Sequence, residues 1–398
     1  MNILFLTSTV PVSTAGGIEA VTLQLCQIFR QAGHKVFVLS KFPALDIQNS
    51  PENFYVLPNR EQNAVSPDNL SFAGKLCADK KIDIVINNGI HHDLVHLGHE
   101  LKSSHIIVIS CWHSDPYTQI KAVGDRLAGV WFSNAGIKRW SETLKVLCKM
   151  PVNYASSLTW LQKKYREMYD FSDACVLLSS NHIKAFSRIA KLKDIQRIYT
   201  IPNPAKLPSS PEMEQKKRKI VLWLGRMDFI SKRPDRMLLV WQKVQPENPD
   251  WDLWMCGEGP ARCPIENYCR QNNIRNVKFY GRVDSSKIYS QSSIFCLTSS
   301  CEGFGLVVTE AISHKIPVIA FSYPALYDIA VEGENSIFVP PFSIKKYADA
   351  LNDLMQNNEK RIAMANCDRS YLQRFSGECI GKQWEDLFRK LKRTEQIQ

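Results

Sequence analysis

The chain has 398 residues, 50 Lys and Arg against 39 Asp and Glu, and a formal net charge of +11. That length favours two domains, and a hydrophobic content of 44% is ample for their cores. No apolar stretch approaches the ~20 residues a membrane-crossing helix needs, while the charge asks for a partner of opposite sign: an acidic lipid surface, nucleic acid or a phosphorylated small molecule.

In chain order, MNILFLTSTVPVS has no basic start and no small-residue cleavage site, so it reads as a first strand rather than a secretion signal. Strand-like runs follow at Ile3–Leu6, Val36–Leu39, Ile82–Ile86, Ile106–Ser110 and Ala174–Leu178. Between the first two, Ala20–Gln31 has helical periodicity and stops at Gly33. The β-α-β rhythm predicts a parallel sheet with helices on both faces. Residues 201–219, IPNPAKLPSSPEMEQKKRK, hold four prolines and a basic run and read as a linker. The rhythm restarts at Ile220–Leu224, Leu253–Cys256, Val277–Tyr280, Ile294–Thr298, Pro317–Phe321 and Ile337–Val339. The predicted architecture is α/β, two Rossmann-like doubly wound domains facing across a cleft. Their bounds are 1–205 and 206–379, and an amphipathic helix over 380–398 packs back on the first. The 12 cysteines include no Cys-x-x-Cys pair and several sit in apolar runs, so they read as free thiols of a reducing compartment.

In such domains ligands bind at the C-terminal ends of the strands. After the first strand, Gly16 and Gly17 precede a helix and permit close backbone approach to an anion, although the spacing is not that of a dinucleotide fold. After Ile106–Ser110 comes CWHSDPY, which puts His113 at a strand end beside Asp115. After Ile220–Leu224 comes GRMDFISKRPD, where Arg226 and Lys232 suit a phosphate, one as a planar fork and the other as a mobile point charge. After Ile294–Thr298 comes SSCEGFGLVVTEA. Gly303, Phe304, Gly305 and Leu306 turn the chain into a helix whose N-terminus offers amides and a positive dipole end. Glu302 precedes that helix and Glu310 lies within it, where a carboxylate is costly without hydrogen-bond donors. Ribose hydroxyls would be suitable donors.

Two further runs stand out. In HHDLVHLGHE, residues 91–100, His92, His96 and His99 share one helix face at i, i+4 and i+7, but no Cys or Asp beside them completes a site, and no metal is assigned. Over 126–166 aromatic and basic residues interleave, as on a helix lying against an anionic membrane. No nucleic-acid module is visible.

Together these segments resemble the retaining glycosyltransferases of family 4, which have the GT-B fold. The likeness rests on GGIE, the strand-end His113, PNP in the linker, GR…SK at 225–232, CGEGP at 256–260, FYGRV at 279–283 and, most specifically, EGFGLVVTE. The resemblance implies that Arg226 and Lys232 hold the donor diphosphate with the amides near Gly303–Leu306. It implies that Glu310 binds ribose, that Glu302 steadies the donor sugar, that Gly16 and Gly17 close over the phosphates, and that His113 touches the sugar. It also implies front-face attack, with the leaving phosphate taking the acceptor proton and neither metal nor cofactor taking part. One departure is the loop after Pro317–Phe321, which reads SYPALYD where the family often has Gly-Gly-x-x-Glu; Asp328 falls near the glutamate.

The expected function is hexose transfer from a nucleotide-sugar, UDP-linked, to a glycan or lipid-linked acceptor in cell-surface polysaccharide or lipopolysaccharide synthesis. The expected location is the cytoplasm, peripheral on the inner face of the cell membrane. The rivals are a catalytically silent nucleotide-sugar-binding partner in a glycosyltransferase complex and a GT-B epimerase.

Overall fold

A computed structural model describes residues 1–12, 17–43, 53–89, 91–103, 105–134, 136–208 and 217–395. The first seven strands are β1 (Asn2–Thr9), β2 (Lys35–Phe42), β3 (Phe54–Val56), β4 (Ile84–Asn87), β5 (Ile107–Trp112), β6 (Ala174–Leu177) and β7 (Ile198–Thr200). They form one sheet in the order β3-β2-β1-β4-β5-β6-β7, with every pairing parallel. The next six are β8 (Ile220–Leu224), β9 (Asp252–Cys256), β10 (Val277–Tyr280), β11 (Ile294–Leu297), β12 (Val318–Phe321) and β13 (Ser336–Val339). Their order is β10-β9-β8-β11-β12-β13, again all parallel.

The helices between the early strands are α1 (Gly17–Gln31), α2 (Pro67–Lys80), α3 (Asp93–Leu101), α4 (Thr118–Ser133), α5 (Gly136–Phe171) and α6 (Ile183–Ala190). Those that follow are α7 (Pro234–Val244), α8 (Arg262–Gln271), α9 (Ser285–Gln291), α10 (Leu306–Ser313) and α11 (Leu326–Ile329). The chain ends in α12 (Ile344–Gln356), α13 (Asn358–Ala365) and α14 (Gly377–Glu395). No described helix is long and apolar enough to cross a membrane. None of the twelve cysteines forms a disulfide among the described residues.

The chain divides into two compact units. The first comprises Met1–His113, Trp160–Pro204 and Arg374–Gln398, and the second Ser114–Thr159 and Ala205–Gln373. In the first, Leu4, Leu6, Val85 and Val108 of the central strands pack under Ala73 and Leu76 of α2 and Leu94 and Leu97 of α3. Such continuous apolar runs are what strands buried on both faces require. On the other side of the fold Phe29 of α1 meets Trp384 and Phe388 of α14 edge-on, at 5.8 and 5.5 Å between ring centres. In the second unit Val221, Trp223, Leu253 and Met255 form a core with Leu238 and Trp241 of α7 and Tyr347 and Leu351 of α12. Two of the buried indoles have partners: Trp241 Nε1 donates to Arg275 O at 2.9 Å and Trp223 Nε1 to Thr298 Oγ1 at 3.0 Å.

One difference from the sequence reading has a physical cause. Residues 114–159 cluster with the second unit, although a boundary at 205 assigns them to the first. Phe132 of α4 lies 5.7 Å from the Phe229 ring and 4.7 Å from that of Tyr268, and Asp125 of the same helix pairs with Arg233 and Arg236. Pro151 lies inside the 36-residue helix α5, an interior position where proline usually costs about 3 kcal/mol.

Candidate active site

In the second unit the loops after β8, β9 and β11 meet. The β8 loop begins at Gly225, whose N–H donates to Cys256 O at 3.0 Å, and Met227 N donates to Glu258 O at 2.8 Å. This backbone-to-backbone contact explains the glycines of CGEGP. Gly257 has φ +135° and a Cβ there would lie 2.0 Å from Gly225 O, while at Gly259, with φ +152°, one would lie 2.3 Å from Met227 O. Only glycine combines that conformation with that approach.

Asp228 organises the same loop. Its Oδ1 accepts from the backbone N–H groups of Ile230 at 3.0 Å and Ser231 at 2.6 Å. Burial pushes this carboxyl up, but the Ser231 N–H and the Arg226 guanidinium outweigh it and hold the group below the usual range. Arg226 is therefore laid across Asp228, with Nε 3.2 Å from Oδ2 and its side chain 71% exposed. Lys232 turns the other way: Nζ sits 2.7 Å from Glu302 Oε1, an oxygen that also accepts from Ser299 Oγ at 2.6 Å. Both partners of that ion pair are largely covered.

Glu302 leads into α10 through Gly303 and the buried Phe304. Gly305 is the N-cap with φ +97°, and a Cβ on it would stand 2.2 Å from Tyr323 Oη. Tyr323 belongs to the SYPALYD loop, and its hydroxyl donates to Phe304 O at 3.4 Å, so this loop carries a buried phenol against the turn. Leu306 opens α10, whose first N–H groups have no partner within the helix and form a natural anion-facing end. Glu310 follows inside α10; Tyr289 Oη of α9 donates to its Oε2 at 3.1 Å. Burial raises the Glu310 carboxyl, against the opposing pull of Tyr289 and Lys206.

The first unit holds the other predicted residues. His113 Nε2 is 2.6 Å from Asn88 Oδ1, and Asn88 Nδ2 donates to Thr22 Oγ1 at 2.8 Å. With the amide oriented so, the imidazole donates from Nε2 and keeps a bare Nδ1, and burial pulls its pKa down to about 4. Its partner is thus an amide; Asp115, in the other unit, is engaged by Lys121 Nζ at 2.6 Å and Tyr117 N at 2.7 Å. A cavity of about 40 Å³ lined by Thr9, Ile18, Glu19, Thr22 and Asn88 lies beside this network. Gly17 begins α1 and is exposed; Gly16 lies outside the described residues.

Several residues of these networks carried no signal in the sequence. Asp125, Arg233 and Arg236 form a buried cluster: Arg233 grips both oxygens of Asp235 at 2.9 and 3.1 Å and also pairs with Asp125. Arg236 reaches Ser300 Oγ at 2.9 Å, beside Glu302, and lies 3.9 Å over the Phe342 ring. Burial, then the neighbouring Arg233, lowers Arg236 to about 10. Arg233 precedes a proline and has φ +53°, an uncommon backbone state that its three carboxylate contacts hold in place. Of the histidine run, His92 and His96 point to Glu167, while His99 stacks on Phe171 at 4.2 Å.

Residues 209–370 match the family model described as glycosyl transferases group 1. An uncharacterized glycosyltransferase of Haemophilus influenzae is 30% identical over 193 residues, 48% of this chain and 54% of that protein. The poly(ribitol-phosphate) alpha-N-acetylglucosaminyltransferase of Staphylococcus aureus is 28% identical over 199 residues, 49% of this chain and 40% of its own. The chain thus spans about half the length, or less, of these curated relatives. Among solved structures, Anabaena HepE in complex with UDP-glucose superposes with a TM-score of 0.71 at 14% identity, covering 98% of this chain and 100% of that one. The two parallel-sheet units therefore have the GT-B fold, and the group 1 glycosyltransferase match falls on the unit that carries the Lys232–Glu302 pair.

Proposed function

We propose that the chain is a retaining hexosyltransferase of the family 4 type, moving a sugar from a UDP-sugar to a glycan or lipid-linked acceptor in cell-surface polysaccharide or lipopolysaccharide synthesis. The observation that carries this reading is the Lys232–Glu302 ion pair, 2.7 Å long, set just before the N-terminus of α10. Lys232 and the exposed Arg226 are the cations for the donor diphosphate, and the α10 amides complete that site. As the glycosidic bond breaks, charge grows on the leaving phosphate; fixed cations and a helix dipole stabilise it without reorganising, usually the largest catalytic term. When Lys232 turns to phosphate, Glu302 is left to face the donor sugar and steady positive charge at its anomeric carbon. Glu310 takes the ribose hydroxyls, Gly16 and Gly17 approach the phosphates, and neutral His113 meets the sugar.

The relatives' names support glycan synthesis, and the bound ligand of HepE supports a uridine nucleotide. The acceptor attacks from the face the phosphate leaves, and that phosphate takes its proton. The exposed apolar and basic face of α5 is the proposed contact with an anionic membrane surface, on the cytoplasmic side where lipid-linked acceptors reside.

The test is UDP release from a panel of UDP-sugars with mixed glycan and lipid-linked acceptors, in chelator-treated buffer. Wild type should turn over one donor, and Lys232→Ala should lower kcat by roughly 100-fold or more, the range for removing one such stabilising group. Binding of UDP without turnover of any donor would sink the transferase reading and favour the silent binding partner.

A further inference from the structure

Outside the cluster just described, the first unit brings three metal-type donors together on two helices. His92 caps α3, and His96 lies one turn further along the same face. Glu167 faces them from the last part of α5. His92 Nε2 is 2.5 Å and His96 Nε2 3.1 Å from the same oxygen, Glu167 Oε2. All three donor atoms lie within 4.8 Å of one another. His92 Nε2 is buried and forms no hydrogen bond of acceptable geometry, so the carboxylate does not satisfy it as a donor would be satisfied.

From this geometry we propose that His92, His96 and Glu167 form a binding site for a divalent transition-metal ion of the zinc class. Two imidazole nitrogens and one carboxylate oxygen are a borderline donor set that suits Zn²⁺, Co²⁺, Ni²⁺ or Cu²⁺ and not the oxygen-seeking Mg²⁺ or Ca²⁺. Metal–donor bonds of 2.0–2.2 Å in a tetrahedron separate the donors by about 3.3 Å. The His96–Glu167 distance is already close to that, and His92 has to open by less than about 1 Å. The side chains of His92, His96 and Glu167 are 21%, 35% and 18% exposed, so a fourth position faces solvent and is open to water or an incoming oxygen ligand.

The surroundings permit this. Lys163 is 3.8 Å from the other oxygen, Oε1, with a side chain 70% exposed, and can swing outward. Lys164 lies against the rings of Trp112 and Trp160, at 4.9 and 4.8 Å from their centres. The Trp160 ring also meets His92 edge-on at 6.4 Å, and Phe171 meets His96 at 5.3 Å, which limits how far either imidazole can rotate away. A bound ion would tie the start of α3 to α5, just beyond the segment bearing Asn88, the partner of His113. The site involves neither the glutamates nor the cations of the proposed donor site, so the two readings stand or fall separately.

The test uses the full chain, stripped with chelator, in a background with exposed Cys148, Cys263 and Cys379 changed to serine so that surface thiols cannot bind the probe. Zn²⁺ alone is titrated by calorimetry, and Co²⁺ by the visible absorption of a tetrahedral complex. One equivalent per chain is expected. His96→Ala and Glu167→Gln should each weaken binding by about tenfold or more, whereas His99→Ala, on the same helix but outside the set, should stay near the parent value. Glu167→Gln keeps the side chain's shape and so guards against reading a folding defect as a lost ligand. Absence of binding by the parent protein, loss in only one of the two ligand variants, or equal loss in His99→Ala would overturn the site.

Discussion

Tyr289 Oη donates a 3.1 Å hydrogen bond to Glu310 Oε2, which gives the carboxylate inside α10 a neutral partner rather than a cation. Burial consequently dominates and raises the Glu310 carboxyl above the ordinary 4.5. A raised carboxyl makes the folded chain bind more protons than the unfolded one. Its contribution to stability is complete below 4.5 and is lost as pH climbs through the raised value. Thermal melts across that window should show a falling limb that Glu310→Gln flattens. If the carboxylate takes ribose hydroxyls, UDP binding should strengthen over the same pH rise. Glu310→Ala should then weaken it by roughly 10- to 100-fold, the worth of hydrogen bonds to a charged group. A pH-independent affinity unchanged in Glu310→Ala would count against the ribose role.

A second prediction concerns Gly305, where φ is +97° and an added Cβ would stand 2.2 Å from Tyr323 Oη. Gly305→Ala should destabilise by about 2 kcal/mol or more, from backbone strain and from the clash together. Tyr323→Phe in the same chain removes the clashing oxygen and leaves the strain, so the double variant should recover part of the loss. Chemical denaturation of the three variants separates the two causes. No recovery would mean that the strain, or the 3.2 Å approach of Ile329 Cδ1, accounts for the whole effect.

How far the sequence could be read depended on the range of the interactions. Ten of the eleven strands it pointed to are apolar runs largely buried in parallel sheets, so their signal is local; the eleventh, the edge strand β10, is only half-buried, with Lys278 exposed. β3 and β7 went unseen because they are three-residue edge strands whose residues are only half-buried. The demand that Glu310 find a donor was legible, since a carboxylate in an apolar helix needs one; that Tyr289 supplies it was not, because the two meet only through the packing of α9 on α10. Asp125 with Arg233, and Glu167 with His92 and His96, were hidden for the same reason. In each case the second partner lies far along the chain and looks like ordinary surface charge. CGEGP entered only as part of the family likeness; the fold shows that its glycines admit the backbone of Gly225 and Met227.

His113 supplies a third prediction. Its Nε2 is held by Asn88 Oδ1 at 2.6 Å, and burial lowers the pKa from 6.5 to about 4. The folded chain therefore resists a proton that the unfolded chain accepts. Stability due to this group is present above 6.5 and is lost as pH falls through the window down to about 4, at a total of roughly 3 kcal/mol. His113→Gln should flatten this acid limb while leaving melts at neutral pH comparatively less affected. NMR titration of the His113 ring checks the same point directly: a resonance that titrates near 6.5 would contradict the neutral, amide-held imidazole.

The last prediction tests the surface of α5. Ile137, Trp140, Leu144 and Leu147 are 88%, 66%, 63% and 47% exposed, and Tyr154 and Leu158 continue the line at 50% and 36%. Their steps of 3, 4, 3, 7 and 4 residues keep them on a single helix face, so they form one apolar seam. Lys138, Arg139, Lys145 and Lys149 flank it against one acid, Glu142. A seam of this kind is unfavourable in water and suits either the headgroup region of an anionic bilayer or another helix; the cationic flanks favour the bilayer, each contributing about 1 kcal/mol near a negative surface. Co-sedimentation with phosphatidylglycerol-containing vesicles should retain the protein, less so in high salt and scarcely at all for Trp140→Glu with Leu144→Glu. Neutral vesicles should retain little. Gel filtration supplies the opposing outcome: if the parent chain is a dimer without lipid, and the double variant is a monomer with unchanged vesicle binding, then the seam joins two copies of the chain and the membrane assignment fails.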